Sequence, residues 1–182
     1  MKKISFAVLL LGGAFRASAQ VPFPVEESTQ KITYSEVVTI NKVKKGELLK
    51  RTQNWAAAGQ YVPLKQQAAD QYQCRGQFNV SYPSITAGKT DKGLVTYSTA
   101  VYCKDGKYKY VLTDFSHRGL DGRGDGGKLE NSTPACGKFI MSVASWNKIR
   151  EQTHAEAESA VASLKAALEK GPAPPAKKPT DF

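Results

Sequence analysis

One histidine and one cysteine in this chain are of the types that covalent chemistry needs. His117 and Cys136 stand at opposite ends of a Gly-rich polar stretch, 116–137, and Cys136 sits in a Pro-Ala-Cys-Gly turn. A thiol with an imidazole as its base is the nucleophile of thiol-dependent hydrolases and transferases, and Asp114 or Asn131 would orient the base. No nucleophile elbow or protease signature surrounds Cys136, and a cysteine in such a turn is more often structural. His117 and Cys136 therefore carry an alternative, enzymatic reading, and the primary expectation is a domain without catalytic residues.

Other matches in the same stretch fail on their context. Gly122, Gly124 and Gly127 satisfy G-x-G-x-x-G, but Lys128 to Pro134 cannot open the helix whose N-terminus would hold a pyrophosphate. Asp121 and Asp125 imitate part of a calcium loop. Arg123 and Ser132 occupy places where an EF-hand needs an oxygen ligand and a bidentate Glu, so at most a loose calcium contact is left. Arg123-Gly124-Asp125 is a tripeptide that arises easily in a loop rich in these residues. Two histidines and three separated cysteines have no zinc spacing. Ser145-Trp146-Asn147-Lys148 matches S-x-x-K without the companion motifs of serine acyltransferases. No metal and no cofactor is expected.

A second chemistry is the recognition of negative charge. Arg75, Asn79, Ser98, Tyr102 and Lys109 offer hydrogen-bond donors and one aromatic plane, and His117, Arg118 and Arg123 add to them from the polar stretch. Such a set suits an anionic or sugar-like ligand, with Arg75, Tyr102, Lys109, His117, Arg118 and Arg123 as the binding candidates; a merely solvated face is the plainer reading of the same residues.

The elements that would position these side chains follow from periodicity. Residues 31–41 alternate and are β-branched, with Ile32, Tyr34, Val38 and Ile40 on one side; Glu36 interrupts that side, which predicts an edge position or a local partner. Residues 44–58 predict a helix with Leu48, Leu49, Thr52, Trp55 and Ala56 along one stripe, stopped at Gly59. Lys104-Asp105-Gly106-Lys107 predicts a two-residue hairpin with a type I′ turn. With Lys104 opposite Lys107, Cys103 faces Tyr108, Val101 faces Tyr110 and Thr99 faces Leu112. A preceding hairpin turning within 87–93 completes three antiparallel strands. One face collects Cys74, Phe78, Val80, Tyr82, Val95, Tyr97, Val101, Cys103, Tyr108, Tyr110 and Leu112, and the other is polar. A short last strand is expected over 137–141. From Ser142 as N-cap a helix runs to about Lys170, buried along Trp146, Ile149, Thr153, Ala157, Ala160, Val161, Leu164 and Leu168.

The same register sets Cys74 opposite Cys103, where Cβ atoms on neighbouring strands lie about 4.5–5.5 Å apart. A disulfide wants about 3.8 Å, so a bridge there requires local adjustment and leaves Cys136 as the free thiol.

The chain has 182 residues, 41% of them hydrophobic and 23% charged, with a formal net charge of +10. That is globular composition of a size suited to one domain, and it excludes collagen-like and wholly disordered classes. Lys2 and Lys3, an apolar run to Leu11 and Ala17-Ser18-Ala19 have the form of a cleavable signal peptide over 1–19. Its run is too short for a membrane span, and no cysteine follows the cut for lipid attachment. The expectation is an exported protein, periplasmic or extracellular and not a lipoprotein, with one domain over 20–170. Residues 171–182 form a Pro-, Ala- and Lys-rich tail read as disordered.

Several segments, taken in order, resemble a family of secreted bacterial proteins known as a domain of unknown function with a TBP-like fold. They are the strand Lys31-Ile32-Thr33-Tyr34-Ser35-Glu36-Val37-Val38, Glu47-Leu48 leading to Trp55, and Lys104 to Tyr110. Further on come Phe115-Ser116-His117, Gly126 to Asn131, Pro134-Ala135-Cys136-Gly137 and Ser145-Trp146-Asn147-Lys148-Ile149. The resemblance implies an α+β fold, a curved antiparallel sheet with helices on one face in the order β-α-β-β-β-(β)-α, and implies no activity. With export, it makes DNA an unexpected partner despite the name of the fold. The expected function is a non-catalytic domain that binds an envelope protein, a glycan or an anionic ligand, as a monomer or weak oligomer without a transmembrane span. A structural or assembly role for the long Ala-rich helix is the remaining alternative.

Overall fold

The computed structural model describes residues 23–59, 61–64 and 68–170; the leader expected over 1–19 and the tail over 171–182 lie outside them. The elements are β1 (Tyr34–Thr39), α1 (Lys45–Ala58), β2 (Val62–Pro63), β3 (Gln71–Pro83), β4 (Thr90–Lys104), β5 (Lys107–Gly119), β6 (Gly127–Lys128) and α2 (Val143–Lys170). They form one antiparallel sheet in the order β1-β5-β4-β3-β2, with β6 taking up the β5 edge beyond β1, and both helices lie on one face. The expected α+β architecture is the observed one. No described helix is long and apolar enough to cross a membrane.

The β4–β5 ladder has the expected register: Lys104 pairs with Lys107, Cys103 with Tyr108, Val101 with Tyr110 and Thr99 with Leu112. Its tip is not a type I′ turn, because Gly106 takes φ +75° while Asp105 is not in the positive-φ region. The tip is held from outside instead. Gly106 exchanges backbone hydrogen bonds with Ile40 and Val43, and the Asp105 carboxylate accepts the Lys45 N–H at 2.8 Å, capping α1 where Lys44 offers no side-chain cap.

The β3–β4 register differs from expectation by four residues. Cys74 pairs with Thr99 and Gln71 with Tyr102, because the chain turns earlier than expected, in a loop over 84–89 closed by the Ser84 N–H to Lys89 O bond, with Gly88 at φ +74°. The expected Cys74–Cys103 bridge is therefore absent, and Cys74, Cys103 and Cys136 are all free thiols. The faces survive this slip, since alternation has a period of two and an even shift preserves it.

Two further corrections concern strands. Residues 137–141 are a run of turns, and the extra strand is β6, formed where the Gly-rich segment doubles back onto β5. At the other edge β2 adds two residues to β3. Strand β1 is an edge, as Glu36 predicts, and that carboxylate also has its local partners: Lys165 on α2 and the Tyr110 hydroxyl at 3.0 Å.

Helix α2 begins as expected, with Ser142 Oγ accepting the Ser145 N–H at 3.0 Å; Ser145 Oγ in turn donates to the Pro83 carbonyl at 2.7 Å and ties the helix to the end of β3. Its stripe of Trp146, Ile149, Thr153, Ala157, Leu164 and Leu168 is buried against the sheet and α1. Full burial of one large apolar side chain contributes roughly 1.5–3 kcal/mol, so this stripe is a major source of stability.

Candidate functional site

The sheet face opposite the helices carries the polar set, and its side chains divide by position along the strands. Tyr102 on β4 lies directly opposite Lys109 on β5, which in turn faces Val37 on β1. Tyr102 is 40% exposed and Val37 58%. With Lys104, Lys107 and Asp70 these residues line a cleft of about 370 Å³ at the hairpin end of the sheet. Three ammonium groups against one carboxylate make this corner electropositive, and the tyrosine ring gives it a flat apolar wall. Arg75 is elsewhere on that face. It pairs with Ser98 and stands four residues along β3 from Gln71, the neighbour of Tyr102, which is about 13 Å along the strand. Arg118 is farther still, opposite Leu94 near the other end of β5. The structure thus unites Tyr102 with Lys109 and separates both from Arg75 and Arg118.

His117 is not on a loop. Strand β5 runs through it to Gly119, and a bulge explains its orientation. Ser98 pairs with Thr113 but Thr96 with Ser116, so Asp114 and Phe115 together oppose Tyr97. Asp114 takes φ +58° and its carboxylate pairs with Lys31 at 2.6 Å. The extra residue reverses the alternation of β5, which turns Phe115 and His117 into the core. Phe115 stacks on Tyr97 at 5.3 Å. His117 is 2% exposed, with the rings of Tyr82 and Trp146 at 5.5 and 6.1 Å. Its Nδ1 accepts the Gly126 N–H at 3.1 Å, which places the proton of the neutral ring on Nε2. Burial lowers its pKa to about 4, partly opposed by Asp125.

This environment separates His117 from Cys136. No hydrogen bond joins them, Nδ1 is occupied by a backbone donor, and burial raises the pKa of the Cys136 thiol above its ordinary value. An activated thiol shows the reverse, a lowered pKa beside a base or cation. Arg123 and Asp125 are likewise engaged within the fold. Arg123 Nε lies 3.0 Å from Asp91 Oδ1, a carboxylate only 5% exposed, and Asp125 Oδ1 accepts the Gly119 N–H at 3.0 Å. Arg123-Gly124-Asp125 is therefore a loop clamp, and His117, Arg118 and Arg123 do not form a common ligand site.

Sequence reasoning overlooked Val37, Lys107 and Lys104 as partners of Tyr102. The register of the hairpin already set the two lysines opposite each other, and an exposed valine in β1 was the further signal.

Residues 34–118 match the family model of the domain of unknown function (DUF4468) with TBP-like fold. No curated protein matches the chain. Among solved structures, a DUF4468 family protein from Bacteroides ovatus ATCC 8483 superposes with TM-score 0.60 at 18% identity, over 81% of this chain and 94% of that one. A TBP-like protein from Parabacteroides distasonis ATCC 8503 gives TM-score 0.60 at 17% identity, over 82% and 98%. At these identities the likeness is one of fold, and it covers more of the chain than the matched segment does. Over residues 34–118 the chain is similar to the DUF4468 family, a domain of unknown function, and its fold is TBP-like.

Proposed function

We propose that this protein is an exported, non-catalytic binding domain of the cell envelope, whose open sheet face takes an anionic ligand at the Tyr102–Lys109 corner. The observation that carries this reading is the convergence of Lys104, Lys107 and Lys109 on an exposed Tyr102 and Val37, over a cleft whose one acidic lining residue among the described residues is Asp70. Cations bordering an aromatic plane suit a carboxylated or phosphorylated glycan, which offers charge to the lysines and a sugar face to the ring. Without Lys2, Lys3 and Arg16 of the leader, the chain from Gln20 keeps a formal charge of +7, which favours encounter with such polymers. The envelope assignment rests on the leader-like residues 1–19, and a cleaved product beginning at Gln20 is expected on export.

The test is binding of the chain from Gln20 to Phe182 to polygalacturonate at low and high salt. Wild-type protein is expected to bind and to weaken as salt screens the contact. Lys107→Ala with Lys109→Ala is expected to lose affinity by roughly tenfold, about 1.4 kcal/mol, and Tyr102→Ala to lose a smaller part. Unchanged binding by the double-lysine variant refutes the site. Retention of residues 1–19 by the protein recovered from its native cell refutes the export assignment.

A further inference from the structure

We infer that the cleft enclosed by α1, α2 and the β3–β4 ladder, on the helical side of the sheet, is a binding site for an organic ammonium group. This site is independent of the sheet-face reading. The cleft has a volume of about 370 Å³. Its lining includes four aromatic rings drawn from separate parts of the chain: Trp55 from α1, Tyr61 beyond it, Phe78 from β3 and Tyr97 from β4. The rings are not a flat stack. Trp55 and Tyr61 are 4.3 Å apart and tilted by 34°, Tyr61 stands at 86° to Tyr97, and Phe78 lies at 51° to Tyr97. Rings set at such different angles border the volume from several sides, and the face of each ring carries the negative pole of its quadrupole.

The electrostatics of the lining agree with that. In a chain of net charge +10, the one charged residue lining this cleft among the described residues is an acid, Glu156 of α2. Glu151 and Glu158 on the same helix are paired with Lys148 and His154, whereas the Glu156 side chain has no hydrogen bond or ion pair among the described residues. Burial, with a contribution from Glu156, raises the pKa of both tyrosines, so the phenols remain neutral and add no competing charge. The Trp55 N–H, the donor an anion would need, is already given to Ser163 Oγ at 3.2 Å. Among the described residues an anion finds no cation here. A trimethylammonium or alkylammonium group finds ring faces and a free carboxylate.

The cleft is also built in advance of any ligand. The Tyr61 and Tyr97 hydroxyls are hydrogen-bonded at 2.9 Å. Two glycines make room for these rings: a Cβ at Gly76 would lie 2.4 Å from Tyr97 Cζ and 2.7 Å from Tyr61 Cε1, and one at Gly59 would lie 2.5 Å from Tyr61 Cε2. The aromatic walls are therefore held by packing before a ligand arrives, which lowers the ordering cost of binding.

The probes are choline chloride and 3,3-dimethyl-1-butanol, its uncharged isostere, titrated at constant ionic strength into the chain from Gln20 to Phe182. The readout is the Trp55 indole N–H resonance, with that of the fully buried Trp146 as internal reference. Choline is expected to shift the Trp55 signal saturably, and the neutral alcohol to bind roughly tenfold more weakly or not at all. Glu156→Gln, a substitution at an exposed position, is expected to weaken choline severalfold and leave the alcohol unchanged. Equal response to the two probes, no saturable response to choline, or full affinity in Glu156→Gln each overturns the proposal. Tyr61→Leu is expected to weaken choline by roughly tenfold or more, and full affinity in a folded Tyr61→Leu also overturns the proposal; should that variant fail to fold, Glu156→Gln and the isostere comparison still decide it.

Discussion

A Cβ on Gly93 would lie 2.1 Å from Nε2 of His117, so the imidazole occupies the space that any side chain at position 93 would need. The two residues sit on adjacent strands beside the bulge, and the fit is mutual: a buried ring on β5 is admitted by a missing side chain on β4. Gly93→Ala is therefore expected to lower stability by about 1–3 kcal/mol through overpacking. Combining it with His117→Ser should recover part of that loss. Urea midpoints of the two single variants and the double variant measure the coupling, and strict additivity would contradict the contact.

Burial of the same ring gives stability a dependence on pH. His117 has a folded pKa near 4, against 6.5 for an unperturbed imidazole, so between these values the unfolded chain binds the proton and the folded chain does not. Its contribution is complete above pH 6.5 and is lost as pH falls toward 4, up to roughly 3 kcal/mol. The difference in unfolding free energy between wild type and His117→Gln should narrow across that window. A difference that stays constant with pH would mean that the ring titrates normally.

The three thiols are expected to differ in reactivity. Burial raises Cys74 to about 12 and Cys103 to about 11, so both should resist an aromatic disulfide reagent at neutral pH until the protein unfolds. The half-buried Cys136 should react first, and more slowly than an unhindered thiol. Peptide mapping without reduction should yield no crosslink between Cys74 and Cys103; finding one would require the β3–β4 register to move by four residues.

Trp146 ties α2 to the returning Gly-rich loop. It is fully buried, its Nε1–H donates to the Asn131 carbonyl at 2.8 Å, and its ring leaves no room for a Cβ on Gly126, which would lie 2.3 Å from Cζ3. Trp146→Ala is expected to cost about 3–5 kcal/mol, and Trp146→Phe less, since most of the apolar volume stays while the Asn131 carbonyl loses its donor. Thermal unfolding of the two variants checks the order.

Much of this architecture could be read from local pattern. The alternation through 94–113 sorted the two faces of the sheet, the Lys104–Lys107 pairing set the hairpin register, Glu36 marked an edge, and the spacing from Trp146 to Leu168 marked the buried stripe of α2. These readings hold because a strand or helix repeats its environment at a fixed period, and a short window contains the whole signal.

What local pattern could not supply was decided by contacts between distant residues. The partner of Cys74 depends on the length of the loop over 84–89, and alternation cannot detect an even slip. The orientation of His117 depends on one extra residue at Asp114, held in a left-handed conformation and paired with Lys31. Without that bulge the alternation of β5 puts His117 on the open face, where an imidazole could meet a ligand. With it, the ring is buried and neutral. The aromatic cleft is the same case on a larger scale, since Trp55, Tyr61, Phe78, Tyr97 and Glu156 acquire a common environment only when α2 packs back across β3 and α1. The order and type of the elements were determined by the sequence through short-range periodicity. The placement of its chemically capable side chains was decided by loop lengths, a single bulge and helix packing, because each of these couples residues far apart in the chain.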